Sequence, residues 1–138
     1  MFTSIAIRIS TLVASIAVLA GCASVFGPSR EVRIVEPADG ATVASPFKVR
    51  FGVKGLEVAP AGEIVANSGH HHLLINLDAL PAGESVPFSE QHLHFGKGQT
   101  ETEVKLAPGK YKLTAQFANG AHQSYGKVLS HTVLVTVK

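Results

Sequence analysis

Seven histidines in a 138-residue chain, beside one cysteine, one methionine and no tryptophan, concentrate the chemistry of this sequence. They occur as His70-His71-His72, as His92-Leu93-His94, and singly at His122 and His131. On a strand, residues i and i+2 share a face about 6.6 Å apart. His70 and His72 therefore project together while His71 points the other way, and His92 and His94 repeat the pairing. Metal–imidazole bonds are about 2.0 to 2.1 Å, so ligand nitrogens must converge to within roughly 3.5 Å, which side-chain rotation allows from such pairs. Two pairs from neighbouring strands or loops would enclose one ion, with His122, just past Asn119-Gly120, as a further ligand. The candidate ligands are His70, His72, His92, His94 and His122.

The ligand types narrow the metal. Beyond Cys22 and Met1 the chain offers imidazole and carboxylate but no thiolate or thioether. Soft Cu(I) prefers sulfur, so Cu(II) or Zn(II) is the expected ion. Two other readings stand beside it: a structural network in which the imidazoles satisfy backbone groups or one another, and a pH-responsive cluster. His71, in phase with Leu73 and Ile75, and His131, in phase with Val133 and Val135, read as structural.

Other chemistry is not signalled. Phe95-Gly96-Lys97-Gly98-Gln99-Thr100 is glycine-rich but does not fit a phosphate-binding loop, and there is no G-x-S-x-G nucleophile elbow. Asp39 and Asp78 read as turn formers, so no carboxylate pair is poised for acid–base work. The expectation is a binding protein and not an enzyme. A net charge of +2 with no basic run of five residues gives no footprint for nucleic acid.

The elements that must position these residues are strands. Apolar residues alternate at Val32 and Ile34, and again at Phe47, Val49, Phe51 and Val53. Further runs cover His70 to Leu77, Glu101 to Leu106, Tyr111 to Phe117, and Val128 to Val137. Turn chemistry separates them at Pro37-Ala38-Asp39-Gly40, Pro108-Gly109 and Asn119-Gly120, the last a tight-hairpin signal, and Ala79 to Gln91 reads as a long loop. No helical period appears beyond the first residues. About seven strands at short spacing predict an all-β, immunoglobulin-like β-sandwich over residues 31–138. Leu106-Ala107-Pro108-Gly109-Lys110-Tyr111 resembles the corner in such domains where a tyrosine hydroxyl bonds back to the backbone.

The apolar excess sits at the start. One positive charge, then Ile9 to Ala20, too short to span a bilayer, then Leu19-Ala20-Gly21-Cys22, resembles a bacterial lipoprotein signal. That resemblance implies a signal peptide at 1–21, a lipidated Cys22, and a tether at 22–30. Multiple acyl chains anchor firmly where one would not. Ala23, and not Asp, follows the cysteine, which favours the outer membrane, facing the periplasm.

Gly69-His70-His71-His72-Leu73-Leu74-Ile75 and His94-Phe95-Gly96-Lys97-Gly98-Gln99-Thr100-Glu101 resemble the two signature runs of a group of bacterial secreted and lipoprotein domains of unknown function. The likeness covers roughly residues 31 to 138, extends to His122, and implies a small β domain of the cell envelope with no established activity. Gly96, Lys97, Gly98, Gln99, Thr100 and Glu101 enter as a motif of unknown role. Because Gln99, Thr100 and Glu101 are superfluous as metal ligands, they support a second reading, an interaction module for an envelope protein or cell-wall glycan. His92-Leu93-His94 also resembles the strand His-x-His of copper–zinc superoxide dismutases, but the rest of that pattern is missing.

Overall fold

Alternating burial along Phe47 to Phe51, with Phe47, Val49 and Phe51 inside and Lys48 and Arg50 outside, is the period-2 pattern of a half-buried strand realised in three dimensions. The computed structural model describes residues 27–138; the expected signal peptide, Cys22 and the start of the expected tether lie outside the described residues. Gly27 to Arg30 are exposed. Nine strands form among the described residues: β1 (Glu31–Glu36), β2 (Thr42–Val43), β3 (Phe47–Lys54), β4 (Glu57–Val58), β5 (Ser68–Ile75), β6 (His92–His94), β7 (Glu101–Val104), β8 (Gly109–Ala118) and β9 (Ser130–Val137). About seven were expected. The six runs read from alternation correspond to β1, β3, β5, β7, β8 and β9, whereas β2, β4 and β6 are too short for an alternation to register in sequence.

The strands form two sheets in a sandwich-like arrangement. One has the order β1-β3-β7; the other has the order β2-β9-β8-β5-β4, with β6 also paired to β5. Between them lies one apolar core in which Val32, Ile34, Phe47, Val49 and Phe51 meet Leu73, Ile75, Leu113, Ala115, Phe117, Val133 and Val135. His131 is half-buried beside this core, and its Nδ1 accepts a hydrogen bond from the Ile34 backbone N–H at 3.1 Å, which fits its structural reading. The Tyr111 hydroxyl donates to the Ala107 carbonyl at 2.9 Å, as the Pro-Gly corner predicts.

Strand β5 departs from alternation because every residue from Ser68 to Ile75 is buried. Its inner face contributes to the core. Its outer face is roofed by the long connection after it, whose Leu80 and Val86 pack with Leu74 and Ala118 as a second, smaller apolar cluster. That roof is tied down by hydrogen bonds to the buried β8 side chains: Gln116 Oε1 accepts from the Leu80 N–H at 3.1 Å, and the Thr114 hydroxyl donates to the Leu77 carbonyl at 3.0 Å. A loop thus makes the outside of this sheet into an interior.

The Asn119-Gly120 turn is not a two-residue hairpin. Ala118 ends β8 and the next strand begins only at Ser130. Asn119 instead folds a local loop, its Oδ1 accepting from the N–H groups of Ala121 at 2.9 Å and Gln123 at 3.0 Å. Asparagine side chains readily substitute for backbone acceptors in this way.

Candidate metal centre

The register of β5 decides which histidines can meet. His70, His72 and Leu74 lie opposite Ala118, Gln116 and Thr114 of β8, on the roofed outer face. His71, Leu73 and Ile75 lie opposite Phe117, Ala115 and Leu113, on the core face. On its other side β5 pairs with β6, setting His72 opposite His94 and Leu74 opposite His92. Two strands therefore bring His70, His72 and His94 together. The fourth histidine comes from the Asn119 loop, where His122 takes a left-handed backbone conformation (φ 64°) and its carbonyl accepts from Val86 N–H of the roof at 2.9 Å.

The result is a group of four. One ligand nitrogen from each of His70, His72, His94 and His122 lies within 4.8 Å of all the others. His70 Nε2 is 3.1 Å from His122 Nδ1 and 3.2 Å from His94 Nε2. Bonds of about 2.0 Å at tetrahedral angles put ligand nitrogens about 3.3 Å apart, so these two separations match metal coordination almost without movement. His70 and His72 are 0% exposed, while His94 and His122 are half-buried, so the group has a closed end and an open end. No carboxylate of the described residues belongs to it.

Of the five candidate ligands, His92 is the one left out. It shares a face with His94, but its strand neighbour is Leu74, two residues beyond His72. Its Nδ1 contacts the Ser89 hydroxyl at 2.8 Å at the rim. The i, i+2 spacing was sufficient within each strand; the register between strands excluded His92.

Electrostatics hold His70, His72 and His94 neutral. Burial, reinforced by the neighbouring imidazoles, pushes His70 down to about 4 and His72 down to about 3. Burial and then His122 lower His94 as well. At neutral pH these rings are uncharged, the form in which imidazole donates a lone pair to a metal. His72 is the most telling member, because it is wholly buried and neither ring nitrogen has a hydrogen-bond partner. His70 Nδ1 is also unpartnered. Leaving a buried polar atom unsatisfied costs about 1–3 kcal/mol, so a self-contained hydrogen-bonded network accounts poorly for this arrangement.

The motif Gly96 to Glu101 carries the chain from β6 in one sheet to β7 in the other. A Cβ on Gly96 would overlap the His94 ring, so only glycine lets that imidazole lie back across the turn. Gln99 Oε1 accepts from the Lys97 N–H at 2.8 Å, the Thr100 carbonyl accepts from the Phe51 N–H at 2.8 Å, and Glu101 pairs with Lys48 at 3.4 Å on the surface. Gly69 plays a matching part ahead of His70, since a Cβ there would run into the Ala118 carbonyl. Phe88 was not singled out from the sequence. Its ring centroid lies 5.1 Å from that of His94 and 5.4 Å from that of His122, at the open end of the cluster, and no motif marks it.

A family model described as a domain of unknown function, DUF4399, matches residues 49–138. The chain belongs to the DUF4399 family. The match begins within β3 and includes all four clustered histidines and both glycines that border them, whereas the resemblance read from the motifs reached back to residue 31. No curated protein and no solved structure is significantly similar to the chain.

Proposed function

We propose that this DUF4399 protein is a lipid-anchored metal-binding protein of the bacterial envelope, with Cu(II) or Zn(II) held by His70, His72, His94 and His122. The observation that carries the proposal is His72, a buried imidazole with two unpartnered nitrogens among three other imidazoles. An ion would satisfy it and replace the His70 contacts to His94 and His122 with ligand bonds. The all-imidazole donor set, with no sulfur among the four, favours a borderline divalent ion. The protein's own ligands to a bound ion would be imidazoles alone, with the roof excluding bulk water from the buried end.

The remaining parts of the reading draw on sequence. Leu19-Ala20-Gly21-Cys22 supports lipidation at Cys22, and Ala23 supports the outer membrane, facing the periplasm. An immunoglobulin-like connectivity is supported by the Tyr111 corner. Binding without catalysis follows from the absence of a nucleophile motif in the sequence, and the near-neutral charge argues against nucleic acid as a partner.

Calorimetric titration of the full chain in detergent with Cu(II) and Zn(II) tests the proposal. The expected result is one ion per chain at micromolar affinity or tighter. Failure of both ions to bind at micromolar concentration would overturn it. The interaction-module reading would then take precedence, checked by a partner retained from envelope extract in the presence of chelator.

A further inference from the structure

We infer that the four-histidine centre, once it holds a divalent ion, takes a small monodentate anion as an additional ligand from the side of Phe88. The inference rests on the metal reading above and adds a second ligand class to it. Three observations carry it.

The first is charge. Four neutral imidazoles leave both positive charges of the ion uncompensated, and no carboxylate or thiolate of the described residues belongs to the group. Glu63, Glu84 and Glu90 sit on the surrounding loops, exposed, and none contributes an atom to it. The four ion pairs among the described residues join Arg33 to Glu31, Lys48 to Glu101, Arg50 to Glu36 and Lys112 to Asp78, so none of them neutralises the centre. A divalent charge away from bulk water is strongly favoured by an anionic partner.

The second is asymmetry. His70 and His72 close the inner end at 0% exposure, with Gln116 beside His72 on β8, whereas His94 and His122 are half-buried. Any ligand from solvent must approach between His94 and His122.

The third is Phe88 itself. Its side chain stands across that approach, against the rings of both His94 and His122, yet the residue is 68% exposed. An aromatic ring so placed gains little from burial, so little holds it across the approach. It limits the opening to a small ligand while leaving the position accessible. The bond formed is dative, from an anion lone pair to the ion, with no change of oxidation state and no group released except water.

Azide is the probe. The full chain in detergent is loaded with one equivalent of Cu(II) and titrated with sodium azide, followed by visible absorption and electron paramagnetic resonance. The expected result is a saturable azide-to-copper charge-transfer band with a shifted copper signal, and an azide affinity that rises about tenfold in Phe88→Ala at unchanged copper stoichiometry. If copper binds one per chain and is weakened by His72→Ala, but azide alters neither spectrum in either the parent or the Phe88→Ala chain, the anion inference is overturned and the metal reading stands. Release of copper by azide overturns it equally. If no copper binds at all, both fall together.

Discussion

His71 is as buried as His70 and His72, and like His72 it has no hydrogen-bond partner on either nitrogen. Its pKa is also pushed down to about 4, first by burial and then by His70. The difference is the face. His71 points into the core, stacked on Phe51 with ring centroids 4.7 Å apart and edge-on to Phe117 at 5.0 Å. His70 and His72 point the other way, toward His94 and His122. Burial, neutrality and unsatisfied nitrogens are thus common to both faces of β5. Convergence of ligand atoms belongs to only one of them, and convergence is what marks a site.

The sharpest way to break this comparison is to alter one histidine on each face. His72→Ala should weaken Cu(II) or Zn(II) binding by at least about 100-fold, since even the outer partners of metal ligands are each worth about 10- to 100-fold. His71→Leu should leave affinity within about twofold. It should also hold or raise thermal stability, because it removes two unpartnered polar atoms at similar volume. Calorimetry and thermal melts of the two variants decide the matter. Loss of metal binding in His71→Leu would show that the two faces are not separate.

Acid should expose what the faces share. His70, His71 and His72 carry pKa values of about 4, 4 and 3 when folded, against 6.5 for the ordinary side chain. Between those values the unfolded chain binds protons that the folded chain refuses. The stability contribution is therefore fully present above about pH 6.5 and is lost as pH falls, by up to about 1.4 kcal/mol per pH unit for each such histidine. Thermal melts of the metal-free chain from about pH 7.5 downward should show the fall. His71→Leu should make it shallower by one proton; an unchanged slope would mean that His71 does not titrate with unfolding.

A smaller effect tests the positioning of the site. Gly96→Ala places a methyl group where the His94 ring lies, so the ring must move while the other three ligands stay. Metal affinity should fall about tenfold, in the range of changes that disturb a ligand without removing it. Melting in the metal-free state separates this from general destabilisation: unchanged affinity with a lowered melting temperature would mean that the glycine serves only the turn.

How far the sequence led differs between fold and site for a physical reason. Long strands were legible because alternation is written over several residues, as from Phe47 to Phe51 and Val133 to Val137. The inward phase of His71 and the outward phase of His70 and His72 followed from the same rule. Strand β6 was not legible as a strand, since three residues carry no period. Burial of the outer face was hidden too, because it comes from Leu80 and Val86, in a segment that reads only as a loop. His122 reached the cluster through the Asn119 loop, where a hairpin had been expected. Phe88 had no signal, as a single aromatic in a proline-containing loop resembles any other.

The smallest expected effect is at His92, and it bears directly on the limit of sequence spacing. His92 and His94 have the same i, i+2 relation as His70 and His72, so spacing alone makes the two pairs equivalent. Pairing does not, because β6 sets His94 against His72 and His92 against Leu74, leaving the His92 ring with the Ser89 hydroxyl at 2.8 Å. His92→Ala removes that exposed hydrogen bond, worth about 0.5 kcal/mol at the low end of the usual range. It should leave metal affinity within about twofold of the parent chain. Calorimetry of this variant beside His94→Ala, which should lose binding as His72→Ala does, compares two residues alike in type, strand and spacing. Equal losses from both would mean that the strand register shifts when the ion binds and that His92 enters the ligand set. A loss confined to His94→Ala would mean that register, two residues along β5, separates a ligand from a rim residue.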